Sequence, residues 1–246
     1  MSFMRFLGIN LCEKVPDAKT IWKFKNDLAE TETVDKLFCM FDEHLEKEGL
    51  ISHKGTIVDA PRQRNSRDEN KKIKDGEIPE EWEKPENKSK LAQKDIDADW
   101  TKKNGERHFG YKNHVKCDAD SKLITNYSVT SASVHDSQRC LVFIGQEDKV
   151  LYADSAYSGK PIALALPDSC ENQICEKGYR NSPLTSEQKM NNRRKSRIRY
   201  RIEHIFGFMT GAMHGITIRS IGITRAWMNI GITNLVYNFC RYSYLK

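Results

Sequence analysis

The sequence predicts an α/β domain preceded by a short helical segment, and three observations carry this prediction. Apolar residues recur at spacings of three and four up to about residue 50, which is typical of helices. Beyond that point, β-branched runs alternate with further helical patterns, as in a sheet flanked by helices. The 246 residues suit one large domain with a small appendage, which we place at 51–246 and 1–50.

The composition excludes several classes of protein. Hydrophobic residues make up 38% of the chain and charged residues 30%, a polar composition that still supports a core. No stretch approaches the ~20 apolar residues of a membrane span, and the N-terminus lacks the apolar core of a secretion signal. The 7 cysteines are scattered without a Cys-x-x-Cys pair, which argues against a zinc ribbon or a disulfide framework. Reduced thiols favour a cytoplasmic location.

The first hundred residues contain three different patterns. From Pro16 to Leu50 the periodicity predicts helices, with Asp17 as the first N-cap and a break between residues 26 and 33. Residues 55–60, Gly-Thr-Ile-Val-Asp-Ala, predict a short buried strand. Residues 61–107 are dense in charged and amide side chains, so we expect a long charged loop or an insertion there.

The remainder of the chain alternates between strand and helix patterns. Strands are expected at 108–117, 123–133, 150–153 and 172–175, and residues 214–221 predict either a loop or a strand. Helices are expected at 137–145, 160–166, 186–213 and 224–244. This alternation places the late helices beside the sheet.

The positive charge of the chain is concentrated in one helix. The net charge is +6, and Ser186–Arg201 alone combines seven Lys or Arg residues with one acid. A focused cationic face favours a nucleic-acid partner, and its candidate contacts are Arg193, Arg194, Lys195 and Arg197. An ordinary solvated helix surface is the alternative.

Three carboxylates stand at positions where local structure suggests chemistry. Asp59 and Asp154 each end an apolar strand, where a carboxylate must be solvated, paired or bound to metal. Either one could instead start a turn or cap a helix. Glu203 lies about 100° from the apolar stripe of its helix and four residues after Arg199, so a simple helical ion pair is its alternative. If the three converge, their oxygens suit two Mg²⁺ or Mn²⁺ ions acting on a phosphodiester.

Several segments together resemble a known family. They are GTIVDA, HFGYKNHVKCDAD, VTSASVHDSQ, VLYADSAY and RYRIEHIFGFM, in this order, with PDAKTIWKFKNDLAE ahead of them. The set resembles the DDE transposases of bacterial insertion sequences, in the group called insertion-sequence family five, and the resemblance covers nearly the whole chain.

The resemblance implies an RNase H-like catalytic domain with a mixed sheet flanked by helices. It implies that Asp59, Asp154 and Glu203 are the catalytic acids and hold two Mg²⁺ or Mn²⁺ ions. The implied reaction is cleavage at the ends of the element, followed by transfer of the freed 3′-hydroxyl strand into target DNA. Arg199 would contact a phosphate near the scissile bond. The implied partners are the terminal inverted repeats and target DNA, bound by a homo-oligomer in the bacterial cytoplasm at the nucleoid, with no membrane.

The chain departs from the family pattern in two respects. Ser196 and Thr210 stand where relatives carry a Tyr and a Lys, which removes those two phosphate contacts. Relatives usually carry a further helical stretch ahead of this match, so we expect an N-terminally shortened product. Two alternatives to an active transposase stay open, namely a nuclease of the same fold that only hydrolyses DNA and an inactive DNA-binding remnant.

Overall fold

The protein is described by a computed structural model of the full chain. The structure describes residues 5, 7–10, 13–65, 78–103, 105–215 and 217–246. Part of the expected helical segment 1–50 and part of the expected charged insertion 61–107 therefore lie outside the described residues. The fold is mixed α/β, with one mixed sheet flanked by helices, as the sequence predicts.

Two helices lie between residue 13 and the first strand. Helix α1 spans Ala18–Glu30 and begins at Asp17, whose side chain accepts the backbone N–H of Thr20 at 2.6 Å. Helix α2 spans Thr33–Lys47, and the chain turns between them at Glu32, which adopts a left-handed φ of 51°. The buried side chains of this helical pair pack against the last helix and the sheet, so the pair is not a separate body.

One strand organises the sheet, which has eight strands in the described part of the chain. They are β1 Thr56–Asp59, β2 Arg62–Asn65, β3 Asp99–Lys103, β4 Glu106–Asp118, β5 Ile124–Ser131, β6 Val150–Tyr152, β7 Glu171–Asn172 and β8 Thr217–Ile218. Strand β4 pairs along one edge with β1 and β2 and along the other with β3 and β5. The sheet continues from β1 to β6 and β7 through parallel pairs, and from β2 to β8.

Helices cover both faces of β1. Ile57 packs in the main core with helices α8 (Arg201–Gly211) and α9 (Ile223–Leu245). Val58, on the opposite face, packs with α5 (Asp136–Phe143) and α6 (Lys160–Ala165). Strands buried on both faces read as unbroken apolar runs, which is why β1 is recognisable in the sequence. The later helices are α5 Asp136–Phe143, α6 Lys160–Ala165, α7 Ser186–Arg199, α8 Arg201–Gly211 and α9 Ile223–Leu245, and the short α3 Glu80–Glu83 and α4 Lys88–Leu91 precede β3. No helix in the described part of the chain is both long and apolar enough to cross a membrane.

The charged stretch 61–107 is not only a loop. Its two ends form β2 and β3, which both pair with β4. Strand β2 escapes prediction because its buried side chains, Gln63 and Asn65, are polar, and none of the described side chains of β3 is buried. Asn65 donates to Asp95 at 2.5 Å, and the Tyr111 hydroxyl donates to the same carboxylate at 2.7 Å. Such a satisfied polar cluster can lie in a core without any hydrophobic pattern in the sequence.

The predicted long helix 186–213 is divided at Tyr200. The backbone N–H of Tyr200 still donates to the carbonyl of Ser196, four residues back. The backbone N–H of Glu203, however, donates to the carbonyl of Tyr200, which is only three residues back. This tighter turn separates α7 from α8, a small change that periodicity does not reveal. The basic residues and Glu203 therefore belong to two successive helices.

Helix α9 is fixed to the sheet by buried amides. The Asn234 and Asn113 side chains exchange two hydrogen bonds, of 2.8 and 3.2 Å, between α9 and β4. Asn238 receives the N–H of Ile124 at 2.9 Å and donates to its carbonyl at 2.7 Å. These bonds set the rotation of the helix on the sheet more narrowly than apolar packing does.

The amide pair allows a double-mutant test. Asn234→Leu should lower the free energy of unfolding by about 2 kcal/mol, because it leaves the buried Asn113 amide without its partner. Adding Asn113→Leu should recover much of the loss, since no polar group is then stranded. Urea denaturation measures the free energy of unfolding of each variant. If the double variant loses as much stability as the two single substitutions added together, the two amides are not a coupled pair.

Candidate active site

Two of the three predicted acids lie at the ends of neighbouring parallel strands. Strand β1 ends at Asp59, and Asp154 follows β6 by two residues. The register pairs Ile57 with Tyr152, so Asp59 and Asp154 each stand two residues further along their chains. The carboxyl ends of parallel strands share one sheet edge, which brings the two carboxylates side by side.

Both aspartates also make the local bonds that their sequence positions suggest. Asp59 Oδ1 accepts the N–H of Ala60 at 2.8 Å, and Asp154 Oδ1 accepts the N–H of Ala156 at 2.8 Å. Asp154 thereby caps the 3-10 turn Ser155–Tyr157. The cap interpretation is therefore correct for Asp154, and these bonds orient each carboxylate.

Arg199 connects the acids on the strands to the acid on the helix. Its Nη1 donates to Asp59 Oδ2 at 2.9 Å and lies 3.5 Å from Glu203 Oε1. The side chains of Arg199 and Asp59 are only 13% and 14% exposed, whereas Glu203 is 51% exposed. The guanidinium thus lies between one buried and one accessible carboxylate.

The electrostatics of the site follow from burial and from crowded negative charge. Burial raises the pKa of Asp59 to about 6, the Ala60 N–H and Arg199 oppose this rise, and the charges of Asp154 and Glu203 add to it. Burial alone would lower the pKa of Arg199, but Asp59, Glu203 and Asp154 raise it above its ordinary value. All three acids are therefore close enough to interact with the same guanidinium.

The donor chemistry of the site suits a hard divalent cation. Its donors are carboxylate oxygens, which Mg²⁺ and Mn²⁺ prefer. The described residues nevertheless contain no group of three or more His, Cys, Asp or Glu side chains drawn together to hold a metal ion. Arg199 contacts two of the expected ligands instead, so its positive charge stands where cations would be expected.

The predicted DNA-contacting residues fall into three environments. Arg193, Arg194 and Arg197 are exposed on α7, none of whose residues is buried. Lys195 is half-buried and donates to the carbonyl of Ile174 at 3.0 Å. Arg199 lies between Asp59 and Glu203. With the exposed Lys189, the helix therefore presents four cations to solvent and directs its last residue inward.

Two further side chains near the acids have structural roles. His135 caps α5 by accepting the N–H of Ser137 at 3.3 Å. Tyr157, directly after the Asp154 turn, is 1% exposed and packs in the core with Val58. Burial raises the pKa of Tyr157 well above its ordinary value, which keeps the hydroxyl protonated.

The contact between Arg199 and Asp59 has no signal in the sequence. The two residues lie 140 positions apart, and the helical spacing predicts only the bond from Arg199 to Glu203.

The comparison with protein families gives one result for the part of the chain that contains this site. A family model described as the transposase DDE domain matches residues 53–239, which include Asp59, Asp154, Glu203 and Arg199. No solved structure matches the chain.

Removing the charge of Arg199 should destabilise the chain. We expect Arg199→Gln to lower the free energy of unfolding by roughly 3 kcal/mol, because it leaves the buried Asp59 carboxylate without a cation. Combining it with Asp59→Asn should restore most of this stability. Arg201→Gln is the matched control, since Arg201 pairs with Asp120 at the surface and should cost less than about 1 kcal/mol. Equal losses for the two arginine variants, measured by urea denaturation, would contradict the role of the inner pair.

Proposed function

The chain belongs to the transposase DDE domain family, and from this we propose that it cleaves DNA at the ends of an insertion sequence and joins the freed 3′-hydroxyl to target DNA. One observation carries the proposal. Asp59 and Asp154 stand at adjacent strand ends, and Arg199 ties Glu203 to the same place. Two aspartates and a glutamate at one sheet edge are what the chemistry of the family requires.

We assign Asp59, Asp154 and Glu203 as ligands of two Mg²⁺ or Mn²⁺ ions. When bound, such ions activate the attacking oxygen and stabilise the leaving oxygen of a phosphodiester. The neighbouring strand ends of Asp59 and Asp154 support this assignment, because they offer carboxylate oxygens from two side chains to a hard divalent cation. The exposure of Glu203 leaves one side of the site open to a strand of DNA.

Arg199 and helix α7 would position that strand. The planar guanidinium suits a phosphate as well as a carboxylate, so we assign to Arg199 the phosphate beside the scissile bond. The exposed Arg193, Arg194 and Arg197 would bind further phosphates of the DNA backbone. Lys195, whose ammonium group donates to the Ile174 carbonyl, would add its positive charge to the same surface. Cleavage alone would need the same residues, so the joining step is what defines the proposed activity.

The remaining proposals concern the setting of this activity. We place the chain in insertion-sequence family five and assign an RNase H-like domain to residues 51–246, following the helical segment 1–50. The position of β1 between antiparallel β4 and parallel β6 supports this fold assignment. Because two DNA ends must be handled together, we propose a homo-oligomer assembled on the inverted repeats, acting at the bacterial nucleoid.

The acids allow a direct test. Asp59→Asn, Asp154→Asn and Glu203→Gln should each lower Mn²⁺-dependent nicking of a supercoiled plasmid, and joining of a 3′-hydroxyl oligonucleotide to it, by more than about 100-fold. The plasmid should carry the DNA that flanks the coding sequence on both sides. The exposed Glu187→Gln, on α7, is the matched control and should retain both activities.

The outcomes separate the candidate functions. Nicking without joining by the unaltered chain would indicate a hydrolytic nuclease. Binding of the plasmid without nicking would indicate an inactive remnant. Full activity of any one acid variant, with its fold checked by circular dichroism, would remove that residue from the site.

The basic helix should be visible in the salt dependence of DNA binding. Substituting Arg193, Arg194 and Arg197 together by Gln should reduce the slope of log affinity against log salt by roughly 2–3, because up to three phosphate contacts are lost. Lys47→Gln with Lys54→Gln, both at exposed positions elsewhere, should leave the slope unchanged. An unaltered slope in the arginine variant would make this helix an ordinary solvated face.

A further inference from the structure

A second concave site lies away from the acids, where helix α1 meets the start of α9 and strand β8. The cavity measures about 680 Å³, within the range of ligand-binding sites. Three of its lining residues are cations, namely Lys25, Arg219 and Arg225, and none of the described residues that line it is an acid. A cavity with this charge favours an anionic occupant.

The cationic wall of the cavity is held in place by hydrogen bonds. Arg225 Nε donates to Asn26 Oδ1 at 2.8 Å, and its Nη1 donates to the carbonyl of Ile221 at 3.2 Å. Asn229 donates to Ser220 Oγ at 3.1 Å across the loop before α9. These bonds fix the guanidinium before any partner arrives, which lowers the entropy cost of binding.

The rest of the lining is apolar and aromatic. Trp22 lines the cavity and is 60% exposed, although most tryptophans of folded proteins are largely buried. Ile218, Met228 and Ile232 form apolar parts of the wall. An accessible indole beside an apolar wall and several cations suits a nucleotide, whose base stacks while its phosphates meet the cations.

A narrow cleft adjoins this cavity on the side of the segments that carry two of the acids. The cleft is lined by Pro61, two residues after Asp59, and by Phe206, three residues after Glu203. Gly215 lines both the cleft and the cavity. The cleft is therefore close along the chain to Asp59 and Glu203 and shares a residue with the cavity.

A cation along this path has an unused donor. Arg62 lines the cleft, and its Nη1 is buried without a hydrogen-bond partner among the described residues. Buried guanidinium groups normally satisfy their N–H donors, so an unpaired one beside a cleft points to a missing acceptor. A phosphate oxygen is such an acceptor.

We propose that the cleft and the cavity form a docking track for the DNA strand that leads away from the scissile phosphate. The backbone passes over the cleft, which is too small to enclose it, and places a phosphate oxygen toward Arg62, while a nucleotide occupies the cavity with its base against Trp22 and its phosphates near Lys25 and Arg219. The proposal rests on the proposed function for the identity of the strand. It assigns to the N-terminal helix α1 a direct part in holding DNA.

Charge-neutralising variants test the track in the absence of metal. The full chain binds a fluorescently labelled single-stranded oligonucleotide in EDTA, and anisotropy gives the affinity at several salt concentrations. Lys25→Gln with Arg219→Gln should weaken binding about tenfold and reduce the salt slope by roughly 1.4, for two lost phosphate contacts. Lys19→Gln with Lys23→Gln is the matched control, because both lysines are exposed on the same helix and neither lines the cavity. Equal slopes in the two double variants would overturn the proposal.

A second variant separates stacking from charge. Trp22→Ala should weaken oligonucleotide binding by roughly fivefold or more, because a base loses its stacking partner. The same variant should bind inorganic polyphosphate as the unaltered chain does. If Trp22→Ala instead abolishes self-association in analytical ultracentrifugation and leaves DNA binding intact, the cavity receives a second copy of the chain and the proposal is wrong.

Failure of the track is distinguishable from failure of the proposed function. If the chain nicks and joins DNA but the two double variants have equal salt slopes, the proposed active site is supported and the docking track is wrong. A reduced slope for the cavity variant, in a chain that never nicks DNA, would establish the track without the proposed chemistry.

Discussion

The contact between Asp59 and Arg199 is the constraint on which the arrangement of the site depends. Strand β1 is covered on both faces, so the carboxylate at its end is largely removed from water. Arg199 supplies the compensating positive charge from the end of helix α7, 140 residues later in the chain. A buried pair of this kind adds little net stability, but losing either partner is costly, so it determines where the helix can lie.

The consequences extend from the pair to the rest of the site. Fixing the end of α7 also fixes the start of α8, and therefore the position of Glu203. Ile202 and Ile205, on either side of Glu203, enter the main core. The apolar stripe thus orients the helix, while the ion pair sets its position along the strand end. The packing and the charge pair together place Glu203 beside the guanidinium that contacts Asp59.

The sequence predicts much of this fold because its covered strands and amphipathic helices leave periodic patterns. The strand before Asp59, the hairpin of β4 and β5, and the late helices are all predictable on this basis. Strands β2 and β3 are not, because their contacts are a charged surface and the buried polar cluster of Asn65, Asp95 and Tyr111. The candidate site is likewise predictable only in part. Strand ends and helical spacing indicate the acids, whereas the bond from Arg199 to Asp59 depends on tertiary structure alone.

The break at Tyr200 separates helices α7 and α8, which differ in how much of each is packed against the core. Helix α8 contributes Ile202, Ile205 and Met209 to the core, whereas α7 has no buried residue and meets the core near its end, at Ile198. Few buried contacts mean a low free energy of local unfolding. The last turn of α7 is held by Ile198 and by the bond from Arg199 to Asp59. Local unfolding of the first turns of α7 would therefore leave both Arg199 and the helix that carries Glu203 in place.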